Sequence, residues 1–89
     1  MTMFVVIYGR LSCPFCVRAK MLAETLEKSS QIDGVRYVDM PSEGITKADI
    51  AKIAGQPVHT VPQVFVDKEH IGGFTEFAEF VSHHPALSA

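Results

Sequence analysis

LSCPFCVRAK, residues 11–20, holds the only two cysteines of the chain, Cys13 and Cys16, and its reading decides the fold. Before it runs MFVVIYG, residues 3–9, a continuous apolar stretch ending in glycine, the pattern of a buried strand rather than an alternating edge. After it the pattern turns helical. Val17, Met21, Leu22 and Leu26 make an apolar stripe, and Arg18, Lys20, Glu24, Glu27 and Lys28 fill the polar faces of a helix predicted over 14–28. The cysteines therefore stand where a buried strand hands over to an amphipathic helix.

That junction has chemical consequences. Pro14 suits the first helical position, because its missing N–H would have had no intrahelical partner there. Cys13 then falls at or beside the N-cap, facing free amide hydrogens and the positive end of the helix dipole. Such a position stabilises a thiolate and lowers its pKa below the roughly 8.5 of an ordinary cysteine. Cys16, three residues on, is close enough in a first turn to bond to Cys13, but the helix carries it toward the body of the domain. The exposed thiolate is expected to attack and the inner thiol to resolve.

Three other readings compete. A structural disulfide here closes a tiny ring that constrains little of the unfolded chain. A zinc knuckle needs four ligands, yet no second CxxC exists and His59, His70, His83 and His84 are scattered, so no metal is expected. A packed, inert pair is the third. A redox pair is the reading that a CxxC at a strand–helix junction favours.

Composition is that of a small globular domain. At 89 residues, 47% hydrophobic and 20% charged, the chain is expected to form a single domain, 1–89, with a modest core. Its formal net charge of -2 implies neither a nucleic-acid partner nor a membrane surface. The signs are uneven. Residues 1–20 carry Arg10, Arg18 and Lys20 without an acid, whereas 67–79 carry four acids against Lys68, so the cysteines are expected to lie in a locally positive region. The apolar start is too short for a signal-peptide core, and two cysteines are too few for a secreted disulfide framework. The cytoplasm is the expected compartment.

Further along, Asp33-Gly34 punctuates before VRYVDM, 35–40, a second strand. Thr46 and Asp49 have capping-box spacing for a helix over 47–54, with Ile50, Ile53 and Ala54 facing the core and Gly55 as its stop. QVFVD, 63–67, reads as a third strand, and KEHIGG as a tight turn and a fourth that doubles back. Gly72-Gly73 allows a sharp backbone turn. Phe74, Phe77, Phe80 and Val81 describe a last helix, 75–83. The order is β-α-β-α-β-β-α, with a parallel opening unit and an antiparallel closing hairpin.

Four stretches, YGRLSCPFCVRAK, EGITKADI, HTVPQVFVD and HIGGFTEF, together make the chain resemble a small bacterial dithiol glutaredoxin of the type that donates electrons to ribonucleotide reductase. The match runs from Met3 to Val81. The resemblance implies a thioredoxin fold: a four-stranded mixed sheet flanked by three helices. It implies Cys13 as nucleophile and Cys16 as resolving cysteine, which form the redox-active disulfide. Thr60-Val61-Pro62 matches the segment ending in a cis-proline, where the Val61 backbone pairs with the cysteinyl part of glutathione as a short added strand. Gly73, Phe74, Thr75 and Glu76 match the loop and helix start that meet the γ-glutamyl end. Arg10 is placed to meet a glutathione carboxylate, and Phe15 completes the implied binding set. Arg18 and Lys20 are solvated charges or part of a surface for acidic proteins.

The implied activity is glutathione-dependent reduction of protein disulfides and glutathione mixed disulfides. Glutathione is the cosubstrate, no cofactor is tightly bound, and the implied partners are ribonucleotide reductase and glutathionylated proteins. A monomer is expected. Three residues depart from the family: Phe15 and Phe74 stand where tyrosine is common, and Glu76 where aspartate is. A thioredoxin-like reductant is the nearest rival, but its usual preceding tryptophan is missing from this chain. For an iron–sulfur carrier, Pro14 is out of keeping with the relatives that hold clusters.

Overall fold

A computed structural model describes residues 3–87. Its elements are β1 (Phe4–Gly9), α1 (Pro14–Lys28), β2 (Gly34–Asp39), α2 (Met40–Glu43), α3 (Lys47–Ala54), β3 (Gln63–Val66), β4 (Glu69–Gly72) and α4 (Phe74–His83). The sheet order is β2-β1-β3-β4. β1 runs parallel to β2, with Ile7 opposite Tyr37, and antiparallel to β3, which pairs antiparallel with β4. This is the four-stranded mixed sheet of a thioredoxin fold, and β1 lies inside it as expected.

Helices cover both faces. On one, Val5, Ile7, Val64 and Val66 of the strands pack with Ala19, Ala23 and Leu26 of α1 and Phe77 and Val81 of α4. On the other, Phe65 packs with Met40, Ile50 and Val58, and Val6 and Tyr8 lean against them. Successive β1 residues thus serve opposite faces, as strand geometry requires.

Several sequence expectations are corrected. Among the described residues there are four helices rather than three, because Met40 leaves the second strand. It starts the one-turn α2, whose Pro41 has the φ a helix start needs, and Gly44 ends it with a left-handed φ of 66°. The stripe of α1 differs in part from the one predicted: Leu26 is buried and Leu22 packs against the core, but Met21 is 61% exposed, and the helix also buries Cys16, Ala19 and Ala23. Small alanines on that side let α1 lie close to the sheet and draw Cys16 beneath it. In α3, Ile50 is buried but Ile53 is exposed. The capping box of Thr46 and Asp49 forms, with the Thr46 amide donating to Asp49 Oδ2 at 2.8 Å. The tight turn between β3 and β4 is Asp67-Lys68, one residue earlier than the start of KEHIGG, and Gly72, at φ 129°, leads β4 toward α4.

Candidate active site

Everything at the site depends on how β1 ends. Gly9 closes the strand, and the chain turns through Arg10–Ser12 into α1 with Pro14 as its first residue. Cys13 is the N-cap, in extended conformation (φ −94°, ψ 119°), and its Sγ accepts the Cys16 amide hydrogen at 3.4 Å. A serine or aspartate usually fills this position with an oxygen acceptor. Here the acceptor is sulfur.

The two thiols are free, and their surroundings divide them. Partial burial pushes the Cys13 thiol up, but hydrogen bonds from the Cys16 thiol and from the Cys16 and Phe15 amides, together with the Arg10 charge, outweigh it and hold Cys13 below the ordinary thiol value. Cys16 is fully buried. Burial first, then its hydrogen bond to Cys13 and the Cys13 charge, push it up to about 11. A thiolate is the nucleophilic form, so Cys13 is the thiol of the pair prepared to attack.

Val61 stands opposite. The Val61–Pro62 peptide is cis, and Val61 O lies 3.8 Å from Cys13 Sγ. Beside this contact opens a cleft of about 270 Å³. It is lined by Phe15, Thr60, Val61, Pro62, Gly73, Phe74, Thr75 and Glu76. The structure therefore brings together eight of the nine residues that the resemblance implied for glutathione. Arg10 is outside that lining; it is exposed and acts on Cys13 through its charge. The Phe15 and Phe74 rings stand 6.3 Å apart, with the Arg18 guanidinium 5.4 Å from the Phe15 ring centroid. Glu76 is partly committed to its own helix, since its Oε1 accepts the Gly73 amide at 2.7 Å.

Sequence reasoning missed Tyr37. Its Oη donates to Arg10 O at 3.0 Å, tying β2 to the turn before Cys13. Burial, then the neighbouring Cys16 charge, pushes its phenol well up, so it stays protonated as a donor. Alternation along β2 puts Tyr37 on the same face as Val35, but nothing in the sequence aims it at Cys16. Gln63 and His70 were missed as well. Gln63 had a visible signal, as a polar residue heading an apolar strand. Lys20 pairs with Glu24 on its own helix at 2.9 Å. Among the described residues, no group of three or more His, Cys, Asp and Glu could hold a metal ion, and no helix is long and apolar enough to cross a membrane.

Known proteins share this sequence and fold. The family model described as Glutaredoxin matches residues 5–71. Glutaredoxin 1 of Salmonella typhimurium is 54% identical over 87 residues, covering 98% of this chain and 100% of that protein. The structure of reduced Escherichia coli glutaredoxin superposes with a TM-score of 0.81 at 52% identity, covering 91% of this chain and 95% of that one. That of the oxidised Escherichia coli protein matches with the same score and identity, covering 92% and 96%. The chain belongs to the glutaredoxin family, with a redox-active centre and the glutathione-dependent thiol–disulfide oxidoreductase activity typical of it.

Proposed function

We propose that Cys13 is the catalytic nucleophile, Cys16 the resolving thiol, and the adjoining cleft the seat of glutathione, in one catalytic domain spanning 1–89. One observation carries this reading: two thiols three residues apart, one capping a helix and held low, the other buried and held high. Val61 offers its backbone N–H and C=O to the cysteinyl part of glutathione. Gly73, Phe74, Thr75 and Glu76 meet the γ-glutamyl end, Thr60 and Pro62 shape the wall behind Val61, Phe15 supplies a ring face, and Arg10 faces a carboxylate.

Two modes follow from thiol–disulfide exchange. With a glutathionylated substrate, the Cys13 thiolate attacks the glutathione sulfur. The mixed S–S bond breaks, and the substrate leaves as a thiolate that takes a proton. A second glutathione thiolate then attacks the glutathione sulfur on Cys13, releasing glutathione disulfide and regenerating the Cys13 thiolate. With a protein disulfide, Cys13 bonds to one protein sulfur and the other departs as a thiolate.

Cys16 then completes the second mode. Forming the mixed disulfide removes the Cys13 charge and its hydrogen bond with Cys16, two of the causes that hold Cys16 high. Cys16 is thereby released to lose its proton to the departing protein thiolate and to attack Cys13. The second protein sulfur leaves, the Cys13–Cys16 disulfide forms, and two glutathione molecules reduce it, ending as glutathione disulfide.

The physiological substrates in this reading are glutathionylated proteins and protein disulfides, ribonucleotide reductase among them. The likeness of the four motifs to the reductase-reducing type supports that last assignment. The reading places the protein in the cytoplasm, where the glutathione pool is reducing enough to recycle it. Glutathione-coupled turnover of a small mixed disulfide and of a protein disulfide by Cys13→Ser and Cys16→Ser tests the roles. Cys13→Ser should lose both activities and Cys16→Ser only the second. An active Cys13→Ser beside a dead Cys16→Ser reverses the assignment.

A further inference from the structure

Behind the segment that carries Val61 runs a chain of side chains that the mechanism does not use. Gln63, the next residue after Pro62, is the only buried polar residue among those described. Its Nε2 lies 2.9 Å from Thr60 O, and its Oε1 lies 2.6 Å from His70 Nε2. The other ring nitrogen of His70, Nδ1, lies 2.7 Å from Gln56 Nε2. The His70 ring also rests against Phe65, with centroids 5.0 Å apart.

The direction of every bond in this chain follows from its last member. Thr60 O can only accept, so Gln63 must turn its NH₂ toward it and its carbonyl oxygen toward His70. His70 Nε2 must then carry the hydrogen. In the neutral ring Nδ1 is an acceptor, which the Gln56 NH₂ satisfies. Donation runs one way, from Gln56 through His70 and Gln63 to Thr60. Removing the imidazole leaves the Gln63 oxygen in a buried place without its donor, and Gln63 is then free to turn away from Thr60.

We propose that this relay is a positioning device for catalysis: His70, through Gln63, fixes the Thr60 carbonyl and so holds the Val61 backbone where a glutathionyl strand pairs with it. His70 is a positioning residue, since it acts only through its neighbours. The inference rests on the reading of Val61 as the residue that pairs with glutathione.

The test is the steady-state kinetics of the full chain with a glutathionylated peptide. His70→Phe keeps a ring against Phe65 and removes both nitrogens. It should raise KM about fivefold, the weight of one ordinary hydrogen bond, with kcat within about twofold of the original. His70→Gln restores an NH₂ toward Gln63 and an oxygen toward Gln56, and should return KM to within about twofold of the parent value. If His70→Phe does not fold, Gln56→Ala breaks the exposed end of the relay alone and should raise KM by about twofold. An unmoved KM in the ring or outer-link variant, a His70→Gln no better than His70→Phe, or a fall confined to kcat overturns the proposal. The reading beneath it has its own readout. Glutathionylating Cys13 of the Cys16→Ser protein should shift the Val61 amide resonance. A silent Val61 there removes the docking reading and the relay with it; a responsive Val61 with an unmoved KM removes the relay alone.

Discussion

Gly9 and Cys16 share one space: a β-carbon on Gly9 would stand 2.8 Å from Cys16 Sγ and 2.8 Å from Tyr37 Oη. Both neighbours are packed, Cys16 under α1 and Tyr37 held to Arg10 O, so neither yields freely. Gly9→Ala should therefore destabilise the reduced protein by about 1–3 kcal/mol, the usual cost of overpacking, as read by urea denaturation. It should also slow reduction of protein disulfides more than reduction of glutathione mixed disulfides, because it displaces the resolving sulfur. Equal losses in both modes would show that Gly9 serves packing only.

The hairpin between β3 and β4 is built from residues that its geometry does not favour. Val66 pairs with Glu69 across Asp67 and Lys68, both at positive φ, 49° and 71°. A two-residue turn of this kind prefers Asp-Gly or Asn-Gly. Asp67 has a compensation, since its Oδ1 accepts the Phe4 amide at 2.8 Å. Lys68 has none from its backbone. Lys68→Gly should stabilise the fold by roughly 0.5–1 kcal/mol, seen as a rise in Tm, because the strain removed exceeds the chain entropy that glycine adds. A fall in Tm would refute this.

Phe15 and Phe74 line the cleft with rings that lack the hydroxyl common in the family. The two rings stand 6.3 Å apart and tilted by 36°, and in the proposed reading their faces meet glutathione without a hydroxyl. Restoring the oxygens, as Phe15→Tyr and Phe74→Tyr, should change KM for a glutathionylated peptide by no more than about fivefold each, with kcat unchanged. A larger effect on kcat would mean that a phenol at either position takes part in the chemistry.

The site's main axis was legible because strand, Pro14 and helical stripe are adjacent in sequence, and adjacency alone puts Cys13 at a helix cap. The walls of the cleft came from resemblance, since no local pattern brings Val61 and Phe74 to Cys13 from so far along the chain. What escaped was tertiary. Met21 and Ile53 have the apolar character of core residues, yet the roll of their helices turns them to solvent. Met40 continues the alternation of β2, but it opens α2, where the fixed φ of Pro41 suits a helix start. Tyr37, Gln63 and His70 find their partners only when four strands are side by side.

The central claim is that one helix turn holds two unlike thiols. Alkylation of the reduced protein by iodoacetamide across pH, with each cysteine followed by mass spectrometry, tests it most directly. Alkylation follows the thiolate, so each rate rises as pH climbs through that thiol's pKa. Cys13 should pass half its full rate below the ordinary thiol value, and Cys16, in molecules whose Cys13 is still unlabelled, should stay protected until the pH approaches about 11. Labelling of Cys16 before Cys13, or of both together at the ordinary thiol value, would contradict the account.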